Sequence, residues 1–406
     1  MVAAFRFDDF ELDPAAFRLR KLGEPSHVEP RALDVLLHLI VNRNRVVGKE
    51  ELLEVVWGDQ FVGDAALTTA LRTARLAIGD SGSTQRLIRT VHRRGYQFVG
   101  QVVEIAPMRD DDGAADVLST PAATAALQEI RFCVAPDGAK IAFATVGSGP
   151  PLMKAANWMT HLDLEWKSPV WSHWLTGLAR KHAPTRYDER GCGMSDWDVP
   201  GFAFDDWVGD LETVADAAGL DRFPLLGISQ GGAVAIAYAV RHPERVSCLV
   251  LAGAYARGRA VRAKSPEDEA AATLDVELAR VGWERNDPSF LQVFASQFLP
   301  EGTHEERADF TDFQRQTTSP SNAVRFLEEF AQIDVSDIAG QVQCPTLIVH
   351  SRHDVRVPAS QATELAALIP NSRLVLLDSH NHLLGEAEPA WAEFLDHIDE
   401  FLDPSS

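Results

Sequence analysis

Two kinds of hydrophobic pattern run along this chain, and they change over near residue 100. Over residues 1–30 apolar and polar positions alternate (Phe5, Phe7, Phe10, Leu12) with turn-forming residues between them, which predicts short strands. Three stretches with helical spacing follow. The first opens after Glu29-Pro30 and puts Leu33, Leu36, Leu37 and Ile40 on one face. The second runs from Lys49 to Trp57. The third starts after Asp64, a suitable N-cap residue, with Leu67, Leu71, Ala74 and Ile78 at helical intervals. Residues 86–99 read as a hairpin that turns at Arg93-Arg94-Gly95 and returns through Tyr96 and Phe98.

Residues 101–128 read as a linker, because Asp110-Asp111-Asp112-Gly113 and the Ala/Thr/Pro-rich run after it cannot bury a core face. From Arg131 onward short apolar strands alternate with long helices, the signature of an α/β domain with a mostly parallel sheet. Residues 256–338 lack strand patterns and predict a helical insertion before the strand Pro345–Val349. The expected fold is multidomain: an α+β unit at 1–100, a linker at 101–128, and an α/β unit at 129–404 capped by the insertion.

Composition adds boundaries. No basic start leads into an apolar run, and no stretch of 18 residues is uniformly apolar, so neither a signal peptide nor a membrane contact is expected. Cys133, Cys192, Cys248 and Cys344 are scattered without ligand spacing; they read as buried, reduced thiols of a cytoplasmic protein, with no metal and no cofactor. The net charge of −21 argues against a nucleic-acid partner until it is divided. Residues 1–100 carry 14 Lys/Arg against 13 Asp/Glu, whereas residues 101–406 carry 24 against 46. Within 62–100, six arginines face only Asp64 and Asp80, so a local basic patch survives.

That patch has a direction. On the third helix the face opposite the apolar stripe carries Thr68, Thr69, Arg72 and Arg75, whose hydroxyls and guanidiniums can reach base edges and phosphates. The hairpin adds Arg86, Arg89, His92, Arg93 and Arg94. Residues 3–100 resemble the OmpR/PhoB-type DNA-binding domain, a winged helix-turn-helix. The resemblance rests on Glu29-Pro30-Arg31-Ala32-Leu33-Asp34, Leu67-Thr68, Arg72, Gly79-Asp80 and the run Leu87 to Phe98. It implies double-stranded DNA as partner and head-to-tail binding to repeated half-sites, and so a homodimer on DNA. In response regulators of this family a phosphate-receiver domain precedes the DNA-binding domain. Here the DNA-binding pattern comes first, so the signal is expected to enter through residues 130–400.

The second half carries a different chemistry. Gly227-Ile228-Ser229-Gln230-Gly231 lies between an apolar strand pattern and a small-residue helix pattern, the setting of a nucleophile elbow. Such a serine needs a base and an acid in the order nucleophile, acid, histidine. Asp354 follows the strand Leu347–His350, and His382 follows the strand Leu374–Leu377. With Tyr187–Ser195 as a D-x-R-G-x-G-x-S loop and Glu388-Pro389 after the histidine, residues 131–402 resemble the α/β-hydrolase superfamily. The resemblance implies a triad of Ser229, Asp354 and His382, and favours His382 over its neighbour His380. Asp188 and Arg190 are expected to hold their own loop together. The oxyanion hole is expected from the backbone N–H groups of Gln230 and Trp158, although Asn157-Trp158 stands where the superfamily commonly has His-Gly. Trp158, Trp166, Trp171 and Trp174 read either as core packing or as an aromatic pocket wall.

Two functions fit this fusion. The first is a one-component transcriptional regulator whose α/β-hydrolase domain senses a small-molecule effector and can hydrolyse it. The alternative is an active serine esterase or hydrolase, acting on an ester or other acyl substrate, whose N-terminal domain tethers it to DNA or dimerises it. A third, the pseudoenzyme sensor, keeps the triad only to bind ligand.

Overall fold

The alternation at the start of the chain folds into an antiparallel meander of β1 (Ala4–Phe7), β2 (Phe10–Asp13), β3 (Arg18–Lys21) and β4 (Glu24–Ser26). The computed structural model describes residues 4–13, 18–21, 24–26, 28, 30–57, 64–80, 84–91, 94–105, 128–283 and 289–402. They belong to two units, Met1–Gly113 and Ala114–Ser406.

In the first unit the meander is followed by α1 (Pro30–Val41), α2 (Lys49–Trp57) and α3 (Asp64–Ala77). Leu33, Leu36 and Ile40 of α1 and Leu67, Leu71 and Ala74 of α3 are buried, with Ile78 just beyond, and form one core with Phe5, Phe7, Phe10 and Leu12. Each of the Leu, Ile and Phe side chains taken out of water contributes roughly 1.5–3 kcal/mol before its entropy cost. The hairpin is β5 (Ile88–Val91) with β6 (Gly95–Phe98), paired from Ile88↔Phe98 to Val91↔Gly95. Tyr96 also exchanges both backbone hydrogen bonds with Val47, at 2.8 and 2.9 Å, which ties the hairpin to the chain between α1 and α2. One boundary is corrected. Residues 103–105 were expected in the linker, but β7 (Val103–Ile105) pairs with β1 and completes a five-stranded sheet. Edge residues of β1 otherwise left without partners explain the recruitment. The rest of the expected linker, residues 106–127, lies outside the described residues.

The second unit is built on an eight-stranded sheet. Its strands are β8 (Glu129–Val134), β9 (Lys140–Thr145), β10 (Pro151–Lys154), β11 (Ala183–Tyr187), β12 (Phe223–Ile228), β13 (Val246–Ala252), β14 (Thr346–Ser351) and β15 (Ser372–Leu377). The spatial order is β15-β14-β13-β12-β10-β11-β9-β8, parallel from β15 to β11 and antiparallel at the β9 and β8 edge. Strand β14 is buried along its whole length and β12 and β13 along most of theirs, which is why their sequences run apolar without alternation. Helices α4 (Ser172–Ala179), α5 (Phe204–Ala217) and α6 (Gly231–Arg241) connect the earlier strands.

The insertion supplies four helices, α7 (Pro266–Gly282), α8 (Ser289–Phe298), α9 (His304–Thr317) and α10 (Pro320–Gln332). Their starts are set by local chemistry. Ser265 and Ser319 cap α7 and α10, and Thr303 and Glu306 form a reciprocal capping box on α9, at 3.1 and 2.7 Å. The insertion leaves and returns as a stem: Gly258 N–H donates to Ile333 O at 2.7 Å, and Val335 N–H to Ala256 O at 2.9 Å. Then come α11 (Ser336–Ala339), α12 (Ala359–Leu368) and α13 (Pro389–Leu402). All four cysteines are unpaired; Cys192 and Cys344 are buried, but Cys133 and Cys248 are half-buried, short of the full burial expected. Among the described residues no helix is long and apolar enough to cross a membrane.

Candidate functional site

Ser229 sits on the turn between β12 and α6 with φ of +53°, a left-handed conformation that side-chain-bearing residues adopt at a cost. The turn is tight enough to exclude side chains on either side. A Cβ on Gly227 would lie 2.6 Å from Gly232 Cα, and one on Gly231 would lie 2.5 Å from Ala156 O. The strand and helix thus pinch the turn and leave the Ser229 hydroxyl at its tip.

His382 Nε2 lies 3.0 Å from Ser229 Oγ, and His382 Nδ1 lies 2.6 Å from Asp354 Oδ2. Asp354 and His382 are both buried. Burial pushes the Asp354 carboxyl up. The charge and hydrogen bond of His382, the Val357 N–H and His350 outweigh it and hold the group below the usual carboxylate value. Its second oxygen accepts from Arg356 N–H at 2.8 Å and Val357 N–H at 2.9 Å. An ionised Asp354 requires the imidazole proton on Nδ1, which leaves Nε2 to accept from the serine.

The loop carrying His382 is fastened by Glu388. That carboxylate accepts from Ser379 Oγ at 2.6 Å, Asn381 Nδ2 at 2.7 Å and Gly385 N–H at 2.5 Å. The Glu-Pro pair after the histidine is therefore a clamp on the loop. The insertion also grips it: Phe298 O accepts from His382 N–H at 2.9 Å and Leu383 N–H at 3.2 Å, and Glu301 N–H donates to Asn381 Oδ1 at 2.9 Å. His380 is instead exposed and stacks on His353 at 4.5 Å. Among the described residues no three His, Cys, Asp or Glu side chains are grouped to hold a metal ion.

Trp158 departs from expectation. Its backbone N–H, expected as the second oxyanion donor, donates instead to Gln230 Oε1 at 2.9 Å. The cause lies below. Gln230 is buried, and its Nε2 donates to Glu189 Oε1 at 3.2 Å, which turns the amide oxygen toward Trp158. Burial, together with the nearby Asp210 charge, pushes the Glu189 carboxyl up to about 8, against the opposing pull of Lys154. Among the described residues nothing accepts from the Gln230 N–H, at the positive end of α6, and it remains open to a developing oxyanion. The neighbouring Asp188 and Arg190 brace their loop as expected: Asp188 Oδ2 accepts from Leu162 and Met194 N–H, and Arg190 forks onto Asp210 at 2.7 and 2.6 Å.

The Trp158 indole points into the insertion. Its Nε1 donates to Gln314 at 2.9 Å, and its ring packs against Trp283, Phe294, Phe326 and Phe330. It lines, with Ser229, a cavity of about 50 Å³. Trp166, Trp171 and Trp174 do not line that cavity, and are core. The remaining wall includes a group that sequence reasoning missed: Arg259, Arg262, Arg356 and Asp275. The run Arg257-Gly258-Arg259-Ala260-Val261-Arg262, basic at the mouth of an acidic insertion, was the available signal.

In the first unit Thr68, Thr69 and Arg72 are exposed on one face of α3. Arg75 is not with them. It is buried, with Nη2 donating to Ile88 O and Thr90 Oγ1, both at 2.9 Å, and thus fastens α3 to β5. Arg86 is exposed and ion-paired with Asp8, Arg89 donates to Gln97 at 2.8 Å, and Arg94 is exposed. His92 and Arg93 lie outside the described residues.

Known proteins match both units. The sequence pattern described as "Transcriptional regulatory protein, C terminal" matches residues 23–98, and that of the "alpha/beta hydrolase fold" matches residues 164–389. The provisionally named carbamate hydrolase RutD of Rhizobium rhizogenes is 27% identical over 57% of this chain and 87% of its own length. Pyrrolizixenacetamide deacetylase of Xenorhabdus hominickii is 26% identical over 65% of this chain and 95% of its own. A hydrolase of Pseudomonas aeruginosa PA01 superposes with a TM-score of 0.56 at 25% identity, covering 68% of this chain and 98% of that one. The chain belongs to the alpha/beta hydrolase fold family, and carries an OmpR/PhoB-type winged-helix DNA-binding domain ahead of its hydrolase domain.

Proposed function

We propose that the C-terminal unit is a working serine hydrolase, acting on an ester or amide, in a chain that its N-terminal unit attaches to double-stranded DNA. The observation that carries this reading is the unbroken hydrogen-bond series from Ser229 through His382 to Asp354. Ser229 Oγ attacks the acyl carbon while its proton passes to His382 Nε2. Asp354 holds the imidazole and stabilises its charged form. The tetrahedral oxyanion takes the Gln230 N–H, and displacement of the Gln230 carboxamide frees the Trp158 N–H beside it. Collapse expels the alcohol or amine with the proton from His382, and water then releases the acid by the same steps in reverse. The similarity to a named deacetylase and to a named carbamate hydrolase supports acyl transfer over mere ligand sensing. That reverses the order in which the sequence alone ranked the two functions.

The test is fluorophosphonate labelling of the full-length chain. The expected result is a covalent adduct on Ser229, absent in Ser229→Ala; an unlabelled wild-type protein would sink the reading. The engaged Trp158 N–H keeps the regulator as a second reading, since a half-filled hole also suits a ligand sensor. It requires duplex DNA affinity to change when ligand binds to Ser229→Ala, and constant affinity would remove it.

A further inference from the structure

The cavity at Ser229 holds a charge imbalance that ester hydrolysis alone does not require. Arg259, Arg262 and Arg356 line it, and Asp275 is the sole carboxylate among its described lining residues. This happens in the part of the chain where 46 acidic residues outnumber 24 basic ones. Asp275 Oδ2 serves two of the three, Arg259 at 2.9 Å and Arg356 at 2.6 Å. Arg262 has no ion pair among the described residues. Its guanidinium donates to the carbonyls of Arg257 at 3.2 Å and Arg356 at 3.3 Å, and lies 5.6 Å from the Tyr255 ring centre. Burial lowers its hold on its proton, as it does for Arg259, which burial and the adjacent Arg356 bring down to about 10.

Arg262 is half-buried, and a guanidinium held partly out of water with no carboxylate paired to it carries a desolvation cost that an arriving anion relieves. A planar fork suits a carboxylate, and the surrounding Phe298, Leu327 and Phe330 suit the apolar body of an acyl chain. We propose that the cavity recognises an acyl substrate bearing a free carboxylate, with Arg262 receiving that carboxylate while the reacting carbonyl lies at Ser229. The position of the carbonyl rests on the hydrolase reading above; the anion site does not.

Two esters of equal chain length separate these claims: p-nitrophenyl hydrogen glutarate and p-nitrophenyl valerate, assayed on the full-length protein. The glutarate ester is expected to show a kcat/KM higher by about 10- to 100-fold, the range of a charge-assisted hydrogen bond. Arg262→Gln brings that ratio near one, and Arg262→Lys, which keeps the charge without the fork, restores part of it. In parallel, calorimetric titration of Ser229→Ala with glutarate is expected to saturate, and the added Arg262→Gln change to abolish binding. Equal turnover of both esters by the wild type overturns the proposal and leaves the hydrolase reading standing. No turnover of either ester, with Arg262-dependent glutarate binding, overturns the hydrolase reading and keeps the anion site. Tighter binding of inorganic phosphate than of glutarate overturns the carboxylate assignment. The wild-type ester ratio decides the matter even if an Arg262 variant fails to fold.

Discussion

The two units use buried polar groups in opposite ways. In the DNA-binding unit the side chains proposed for recognition, Thr68, Thr69 and Arg72, are exposed, and the buried polar groups Arg75 and Asp80 hold elements of the fold together. Asp80 shows how completely: its carboxylate accepts from the N–H groups of Arg86, Leu87 and Ile88 at 2.9, 3.0 and 2.9 Å and from Thr84 Oγ1 at 2.8 Å. In the hydrolase unit the buried polar groups are the candidate machinery, from Asp354 and His382 to Gln230 and Glu189. A nucleic-acid surface must meet solvent, whereas a hydrogen-bonded Asp–His pair is electrostatically strongest where water cannot screen it.

The sharpest break of this contrast is at Ser229. Ser229→Ala is expected to lower p-nitrophenyl ester hydrolysis by roughly 10⁴- to 10⁶-fold, and Asp354→Asn by roughly 10⁴-fold. Duplex affinity measured by fluorescence anisotropy stays unchanged in both; a parallel loss of DNA binding would erase the division of labour. Next in size is Asp80→Ala. Removing an acceptor that satisfies three backbone N–H groups, two of them buried, costs roughly 2–4 kcal/mol, read as a lowered first transition in calorimetry with ester turnover intact.

Smaller still, Arg72→Ala is expected to weaken duplex binding by about 1–3 kcal/mol and to flatten its salt dependence. Arg75→Ala instead lowers the melting temperature of the unit. Equal salt-slope changes in the two variants would return Arg75 to the DNA-facing set. The mildest test uses pH. Burial pushes the Asp80 carboxyl up, but its four donors hold it far below the ordinary value. Its stabilisation is therefore full above the unfolded value of about 4 and is lost as pH falls through the folded one. Burial raises Asp188 to about 7 and Glu189 to about 8, and among the described residues Asp188 Oδ1 has no hydrogen-bond partner to offset that burial. Stability from these two is full below about 4 and erodes as pH rises through 7 and 8. Acid should thus strip the Asp80 contribution from the small unit, and a rise through neutral pH the Asp188 and Glu189 contributions from the large one. Tryptophan fluorescence follows the latter, since eight of the nine tryptophans lie beyond residue 113.

Periodicity made most of the architecture legible. The helices at 30–41, 49–57 and 64–77, the hairpin and the insertion all follow from spacing and breakers that act within a few residues. That Ser229, Asp354 and His382 come together was legible because a turn motif and two strand ends lie in a fixed order. What escaped depended on contacts across the fold. At 100° per residue Arg75 lies about 60° nearer the apolar stripe of α3 than Arg72, and the Ile88 carbonyl and Thr90 hydroxyl of β5 receive it as it turns inward. Likewise Gln230 reaches Trp158 because Glu189, 41 positions earlier, orients its amide. The three cavity arginines come from segments nearly a hundred residues apart.

The grip of Phe298 and Glu301 on the histidine loop makes the insertion more than a roof. Any movement that lifts the C-terminal end of α8 must break the bonds that hold His382 in register with Ser229. The hydrogen bonds at that end of the insertion are the same ones that fix the histidine loop, so a displacement of one is a displacement of the other.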